Sequence, residues 1–437
     1  MDTCIKIYKW KSASAEERRK ILRRSEADVE DVTATVIPII EDVRKRGDTA
    51  LVHYAKKLDG AEIDPGGIKA GMEEFDYARS TLDGFVKRAL ETCIANVRKH
   101  HESQYRRAEK FWLEEVAPGI LAGEKITPIP SVGIYAPCGR NPYPSALYML
   151  AIAAKVAGVP EIHIVSPPGS DGKIDAAALY SAELAGVHNV YKAGGAQAIA
   201  ALAFGTETIP KVAKVVGPGN AYVAAAKRVL SSVIDPGMPA GPTDAIVVAD
   251  GEADPENTAL DILNEAEHGN DSASILVTSD EDFAQKVAES IRVFIEDLPQ
   301  PSKETAQNVL QNYGGIIVTE NDDEAVEFCN TYAPEHLYLN VRRPDDWLPR
   351  LLNAGEIIIG PVATLSMANY GIGANHVLPT GGHARTYSCT SIWDFLKRTS
   401  VVKMERKGFD ALKKPVSDIA MYERFPAHAN SILKRKL

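Results

Sequence analysis

No stretch of this 437-residue chain approaches the roughly 18–20 apolar residues needed to cross a bilayer. The longest candidate, Ala146 to Val159, is broken by Lys155. The start, Met1-Asp2-Thr3-Cys4-Ile5-Lys6, lacks a basic opening that leads into an apolar run, so no signal peptide is expected. Cysteine is scarce: Cys4, Cys93, Cys138, Cys329 and Cys389 are scattered, odd in number, and never form Cys-x-x-Cys. That pattern excludes a disulfide framework and fits reduced thiols in a cytoplasmic protein. Positive charge is also short: 49 Lys and Arg against 59 Asp and Glu leave a net charge of −10. The deficit argues against nucleic acid and against anionic membranes as partners. Neither Gly-x-Gly-x-x-Gly nor a Walker sequence occurs.

What is present is an ordinary globular composition, 45% hydrophobic and 25% charged, on a chain long enough for two or three domains. From about Ser14 to Lys110 apolar residues recur at helical spacing among dense charge, with Pro65-Gly66-Gly67 as a break. From Pro128 the texture changes. Short apolar runs at Val132–Tyr135, Glu161–Val165, Val190–Lys192 and Lys214–Val216 alternate with helical segments, and glycine turns follow several of them. The pattern resumes with Ala245–Val248, Ser274–Val277, Gly315–Val318 and Glu356–Ile359. Strand, turn and helix repeating every 25–30 residues or so predict βαβ units and parallel sheets. The expected fold class is α/β, with two parallel-sheet domains flanked by a helical N-terminal region and a short C-terminal tail.

Several stretches could carry chemistry. Asn264-Glu265-Ala266-Glu267-His268-Gly269 reads as a helix end, placing Glu265 and His268 three apart on one side. A carboxylate and an imidazole so placed make half of a zinc site, although a single Glu-x-x-His pair is more often a capped, solvated helix end. Glycine turns at Pro137-Cys138-Gly139, Gly194-Gly195 and Gly217-Pro218-Gly219-Asn220 follow successive strands, where parallel sheets bind ligands. Pro334 bends the chain before Glu335 and His336, and a loop there would present a general acid–base pair. Asn369-Tyr370-Gly371-Ile372-Gly373-Ala374-Asn375-His376 is glycine-punctuated, as where a backbone presses on a ligand or another chain. Arg98-Lys99-His100-His101 reads as a solvated helix face, and Glu423 and His428 as tail residues five apart.

Together these stretches resemble the histidinol dehydrogenase family. The residues that carry the likeness are Pro137–Ser145, Ala193–Ile199, Gly217–Tyr222, Ala240–Thr243, Ala266–Gly269, Ala333–Leu337 and Asn375–Thr380. The resemblance implies a domain-swapped homodimer of Rossmann-like domains that uses NAD and Zn²⁺ to oxidise a primary alcohol, through an aldehyde, to a carboxylate, as in histidine biosynthesis. Carried onto matching positions, it implies zinc ligands Glu265, His268, Asn369 and, from the other subunit, His428. His336 would be the base and Glu335 would activate water. Tyr135, Gln197 and Asn220 would contact NAD, and Thr243, His376 and Glu423 would line the substrate pocket. The expected division is an N-terminal helical segment 1–30, a discontinuous Rossmann-like domain 31–128 with 244–385, a second, NAD-binding domain 129–243, and a tail 386–437 on the partner subunit.

Two departures bear on substrate and metal. The family usually has glutamine at position 265 and aspartate at 369, so amide and carboxylate have changed places with the summed ligand charge unchanged. Metal binding is therefore expected to persist. Leu365 stands where the family commonly has a glutamate near the substrate ammonium, so an amine there would lose its counter-charge, at several kcal/mol. A sister activity on sulfopropanediol is the alternative, with Arg385 either the cation facing an anionic head group or a brace for the Pro379–Gly382 turn. A non-catalytic metal- or ligand-binding relic is the alternative of another class. Cys138, with Arg140 nearby to lower its pKa, could form a thiohemiacetal, but is taken as a loop residue beside the cofactor.

Overall fold

Runs such as Asp244–Ala249 and Ala273–Thr278 are buried at every position, as in parallel strands covered on both faces. A computed structural model describes residues 5–23, 32–138 and 142–436. Cys4, Gly139 and Arg140 lie outside the described residues, so the activation of Cys138 by Arg140 does too. Among the described residues the strands are, in chain order, β1 (Ile7–Lys9), β2 (Phe111–Ala117), β3 (Ile120–Pro128), β4 (Ser131–Tyr135), β5 (Glu161–Ser166), β6 (Val190–Lys192) and β7 (Lys214–Val216). They continue as β8 (Asp244–Ala249), β9 (Ala273–Thr278), β10 (Gly315–Val318), β11 (His336–Asn340), β12 (Glu356–Ile359) and β13 (Leu396–Met404).

Two sheets are wholly parallel, one in the order β6-β5-β4-β7 and one in the order β1-β10-β9-β8-β11-β12. The expected α/β class, with two parallel-sheet domains, is what the chain forms. A third sheet, β13-β3-β2, is antiparallel and was not expected. Its strands are largely exposed and charged, so their alternation is faint.

The helices of residues 33–107 pack differently from the expected division. Val36, Ile40, Val43 and Leu51 share a core with Ile199, Ala201 and Val215, beside the four-stranded sheet. Phe75, Leu90, Ile94 and Val97 share another with Val132, Ile134 and Leu147. Residues 33–107 therefore belong with the domain of 129–243, not with 244–385. The segment expected to be only helical also begins with β1, which pairs with β10 of the six-stranded sheet. Helices Arg406–Tyr422 and Pro426–Leu433 form a hairpin in the tail. That hairpin leaves Ile419, Tyr422, Phe425 and Leu433 exposed.

Candidate active site

The strand order in each sheet changes direction once, beside β4 and β7 in one and between β8 and β11 in the other. In the four-stranded sheet the candidate residues sit at the carboxyl ends of the strands, where such a crevice usually binds ligands. Tyr135 closes β4, Gly194-Gly195 follows β6 into helix Gly195–Phe204, and Gly217 follows β7. The Tyr135 hydroxyl accepts the Gly195 N–H at 3.1 Å. Gln197 is buried, and its Oε1 has no hydrogen-bond partner. Asn220 caps helix Ala221–Val229, its Oδ1 accepting the N–H groups of Tyr222 and Val223. Gly217 has φ +120°, and a Cβ there would lie 2.1 Å from the Tyr135 carbonyl oxygen, so only glycine lets the turn approach β4. The Gly217 carbonyl in turn accepts the buried Lys227 ammonium at 2.6 Å.

In the six-stranded sheet the candidates gather at the amino ends of β8, β11 and β12 instead. Only Glu335 sits on the loop, at the bend after Pro334; His336 opens β11, a strand hidden from periodicity by its polar start. Glu335 N–H donates to Asp244 Oδ1 at 2.9 Å, and Asp244 N–H donates to Glu335 Oε2 at 3.2 Å. Thr243 Oγ1 lies 2.7 Å from Glu335 Oε2 and 3.1 Å from Glu265 Oε2. A hydroxyl has one hydrogen, so it satisfies both carboxyls only when one is protonated and donates to it. Burial pushes the Glu335 carboxyl up, with the charges of Asp244 and Glu265 adding to the effect. Burial acts the same way on Glu265, but His268, His336 and hydrogen bonds from Thr243 and Asn369 outweigh it and lower that pKa. Thr243 therefore bridges the two carboxyl groups, Glu335 and Glu265. Burial alone would lower the His336 imidazole, but the carboxylates of Glu335, Glu356 and Glu265 together raise it.

Glu265 lies in helix Pro255–Ala266, which Asp254 caps, and has no exposed surface. Its Oε1 accepts the amides of Asn264 at 3.0 Å and Asn369 at 3.4 Å. His268 falls just beyond the helix. Its Nδ1 is 3.1 Å from the Asn264 carbonyl and 3.9 Å from Glu265 Oε2. Burial lowers His376 to about 4, with His336 and His268 acting in the same direction and Asn369 and Glu265 opposing. Glu265, His268, Asn369, His376, Thr243, Glu335 and His336 are thus brought together. Glu423 and His428 are not: both are exposed on the tail hairpin, where the His428 ring lies tilted against Phe425. Among the described residues no three His, Cys, Asp or Glu side chains group as a metal site within one chain.

Other expectations need revision. Leu365 has no exposed surface and packs with Ile262, Leu263 and Tyr338 in the apolar core, so it does not face an open pocket. Arg385 donates to the carbonyls of Gly382 and Thr331, bracing the turn rather than offering a charge to a ligand. Burial and the charges of Asp175 and Asp59 raise the Cys138 thiol, which argues against a nucleophile. His101 is wholly buried, not on a solvated face, and its Nε2 lies 3.4 Å from the Asn375 amide. One residue was missed. Glu356, at the head of an otherwise apolar strand, places Oε2 3.0 Å from His336 Nδ1. A lone carboxylate opening a buried run was the available signal.

The whole chain has close relatives. A model of the histidinol dehydrogenase family matches residues 22–436. A histidinol dehydrogenase homolog of Colwellia psychrerythraea is 44% identical over 429 residues, covering 98% of this chain and 96% of the relative. Histidinol dehydrogenase of Synechocystis is 42% identical over 431 residues, covering 99% of each. The crystal structure of histidinol dehydrogenase from Elizabethkingia anophelis aligns with a TM-score of 0.93 at 34% identity, covering 99% of this chain and 98% of that one. With the family model spanning nearly its full length, the chain belongs to the histidinol dehydrogenase family, a family of oxidoreductases.

Proposed function

We propose that the protein oxidises a primary alcohol to a carboxylate with NAD and zinc, in the manner of a histidinol dehydrogenase. The observation that carries this reading is the cluster at the amino ends of β8 and β11: a buried imidazole, His336, beside a carboxyl, Glu335, linked through Thr243 to Glu265. Overall, RCH2OH, two NAD⁺ and water give RCOO⁻, two NADH and three H⁺.

The donors available fit the two groups the family implies. For zinc they are the Glu265 carboxylate, the His268 imidazole and the Asn369 amide, all N or O donors of the kind zinc accepts. His428 of a second copy would complete the set. The exposed apolar tail hairpin supports a homodimer, since such a surface asks for cover. Zinc would orient the alcohol oxygen and offset its developing charge. NAD would accept the hydride. Gln197 Oε1, a buried acceptor without a partner, and the Gly194-Gly195 and Gly217 turns offer it a seat.

His336 takes the hydroxyl proton, which the nearby carboxylates, acting against burial, equip it to hold. Glu335, supported by Thr243 and the Asp244 N–H, exchanges a proton with the water that hydrates the aldehyde. Glu423 would reach the pocket only from a second copy. Glu265 and Asp244 make the surroundings anionic, and Arg385 is committed to carbonyls. That favours a neutral or cationic head group over a sulfonate.

The test is a panel of histidinol, other amino alcohols and anionic diols, followed by reduced-nicotinamide absorbance, with metal analysis of wild type, Glu265→Ala and Glu265→Gln. Amino alcohol turnover is expected, with zinc present in wild type and Glu265→Gln and lost from Glu265→Ala. Wild type that carries zinc yet oxidises no alcohol would favour the binding relic, and efficient turnover of a sulfonated diol would overturn the head-group argument.

A further inference from the structure

We infer that Glu356 is a positioning residue that fixes the tautomer and orientation of His336. The assignment rests on the dehydrogenase reading above, and the fold builds the pair directly. His336 and Glu356 are register partners on adjacent parallel strands, β11 and β12, so their side chains leave the same face of the sheet side by side. The register is set at the strand heads. The Glu356 N–H donates to the Glu335 carbonyl and the Gly355 N–H to the Pro334 carbonyl, each at 3.0 Å. A Cβ at position 355 would come within 2.6 Å of the Glu335 carbonyl oxygen, so glycine there permits the approach.

On its other flank His336 is paired with Ala245 of β8, whose methyl group offers no hydrogen bond. At the level of the imidazole, Glu356 is therefore the polar neighbour supplied by the sheet. Its Oε2 lies 3.0 Å from Nδ1, and the two side chains are only 10% and 4% exposed. An ionised carboxylate only accepts, so the bond places the hydrogen on Nδ1 and leaves the Nε2 lone pair for the substrate hydroxyl. Glu335 Oε1 is 3.8 Å from Nε2, too far to hold it. As the hydroxyl proton arrives at Nε2, the adjacent carboxylate also stabilises the imidazolium that forms. The same logic makes a buried carboxylate behind a catalytic histidine worth large factors in rate.

The test compares Glu356→Gln, Glu356→Ala and Glu356→Asp in the full-length holoenzyme, with His336→Asn used to assign the His336 signals. Three quantities are read: kcat against KM for the alcohol that wild type turns over best, NAD affinity, and the imidazole ¹⁵N shifts. Above the pH at which the imidazole loses its second proton, wild type is expected to show a protonated Nδ1 and an unprotonated Nε2. Glu356→Gln and Glu356→Ala should lose kcat by about 10²-fold or more, keep KM within about threefold, and show mixed tautomers. Glu356→Asp should recover part of kcat and the single tautomer. Wild-type kcat in Glu356→Gln, or a neutral wild-type imidazole with its single hydrogen on Nε2, would overturn the assignment. If wild type oxidises no alcohol, the dehydrogenase reading fails, while the ¹⁵N shifts still decide whether Glu356 sets the tautomer. Should Glu356→Ala not fold, the near-isosteric Gln variant carries the comparison.

Discussion

Replacing Lys227 by methionine isolates the contact that ties down the Gly217 turn. The ammonium is buried and donates to the Gly217 carbonyl at 2.6 Å. Burial lowers its pKa to about 8 from 10.5, with Lys214 acting in the same direction and Asp235 opposing. Between those two values the unfolded chain binds more protons at this site than the folded one. Stability from this group is thus fully present above pH 10.5 and is lost as pH falls through 8. A shift of some 2.5 units corresponds to roughly 3 kcal/mol. At pH 7 wild type bears that cost, while the methionine variant instead leaves the Gly217 carbonyl without its donor, at about 1–3 kcal/mol. The two proteins should therefore be close in stability at pH 7. By pH 10 wild type should lead by roughly 2–3 kcal/mol more than it did at pH 7. Urea unfolding of both proteins at constant ionic strength, in steps from pH 7 to pH 10, reads the difference directly. A wild-type-minus-variant gap that stays flat across that range would refute the claim that the ammonium is held in a desolvated site.

Gly217→Ala should do more damage, because its Cβ would overlap the Tyr135 carbonyl and its φ is positive. A loss of at least about 3 kcal/mol in urea, with weakened NAD binding by titration calorimetry, is expected, and near-wild-type stability would mean that the turn stands further from β4. Leu365→Glu, which installs the residue the family commonly has, should destabilise by more than about 3 kcal/mol, since an apolar contact is lost and a carboxyl is buried. Asp261, already raised to about 7 by burial, bonds the Leu365 N–H and would add repulsion. A stable Leu365→Glu variant with improved turnover of amino alcohols would place position 365 in the substrate pocket after all.

Much of the scaffold was legible because burial leaves plain marks. Glu161–Ser166, Ala273–Thr278 and Gly315–Val318 are apolar runs bounded by turns, and each is a strand. β11 was not legible, because Pro334, Glu335 and His336 disguise its head as a loop. β13, Leu-Lys-Arg-Thr-Ser-Val-Val-Lys-Met, hides for the opposite reason: its exposed faces carry charge where a buried strand would show alternation. Domain membership of residues 33–107 was out of reach, since helical spacing says which face is apolar but not which sheet will cover it. The same limit applies to the site. Glu265 and His268 are neighbours in the chain, and so were found together. The contacts of Glu265 with Thr243, 22 positions away, and with Asn369, 104 positions away, follow from topology. So does Glu356, whose role depends on a register between strands.

The two groups of candidate residues use opposite ends of their sheets: carboxyl ends for Tyr135, Gln197 and Asn220, and amino ends for the cluster around Glu335 and His336. That arrangement needs a connection that keeps both edges in register, and the segment around residues 364–378 supplies it. The Tyr148 hydroxyl donates to the Tyr370 carbonyl at 2.8 Å, the Asn96 amide to the Gly371 carbonyl at 2.9 Å, and the Asn375 amide to the Met149 carbonyl at 2.9 Å. All three anchors come from helices of the four-stranded-sheet domain. Asn369 precedes the first anchor and His376 follows the last, and both side chains belong to the cluster on the six-stranded sheet. The glycines of this stretch then have a shared cause. A Cβ on Gly373 would meet the Asn96 carbonyl at 3.0 Å and one on Gly371 the Cys93 sulfur at 3.3 Å, so the backbone itself lies flat against helix Gly84–Arg107. His101, buried in that helix beside Asn375, is part of the same seam. The charged helix face and the glycine-rich loop, which look unrelated in the sequence, are two sides of one contact that holds the four-stranded-sheet domain against the cluster around Glu335 and His336.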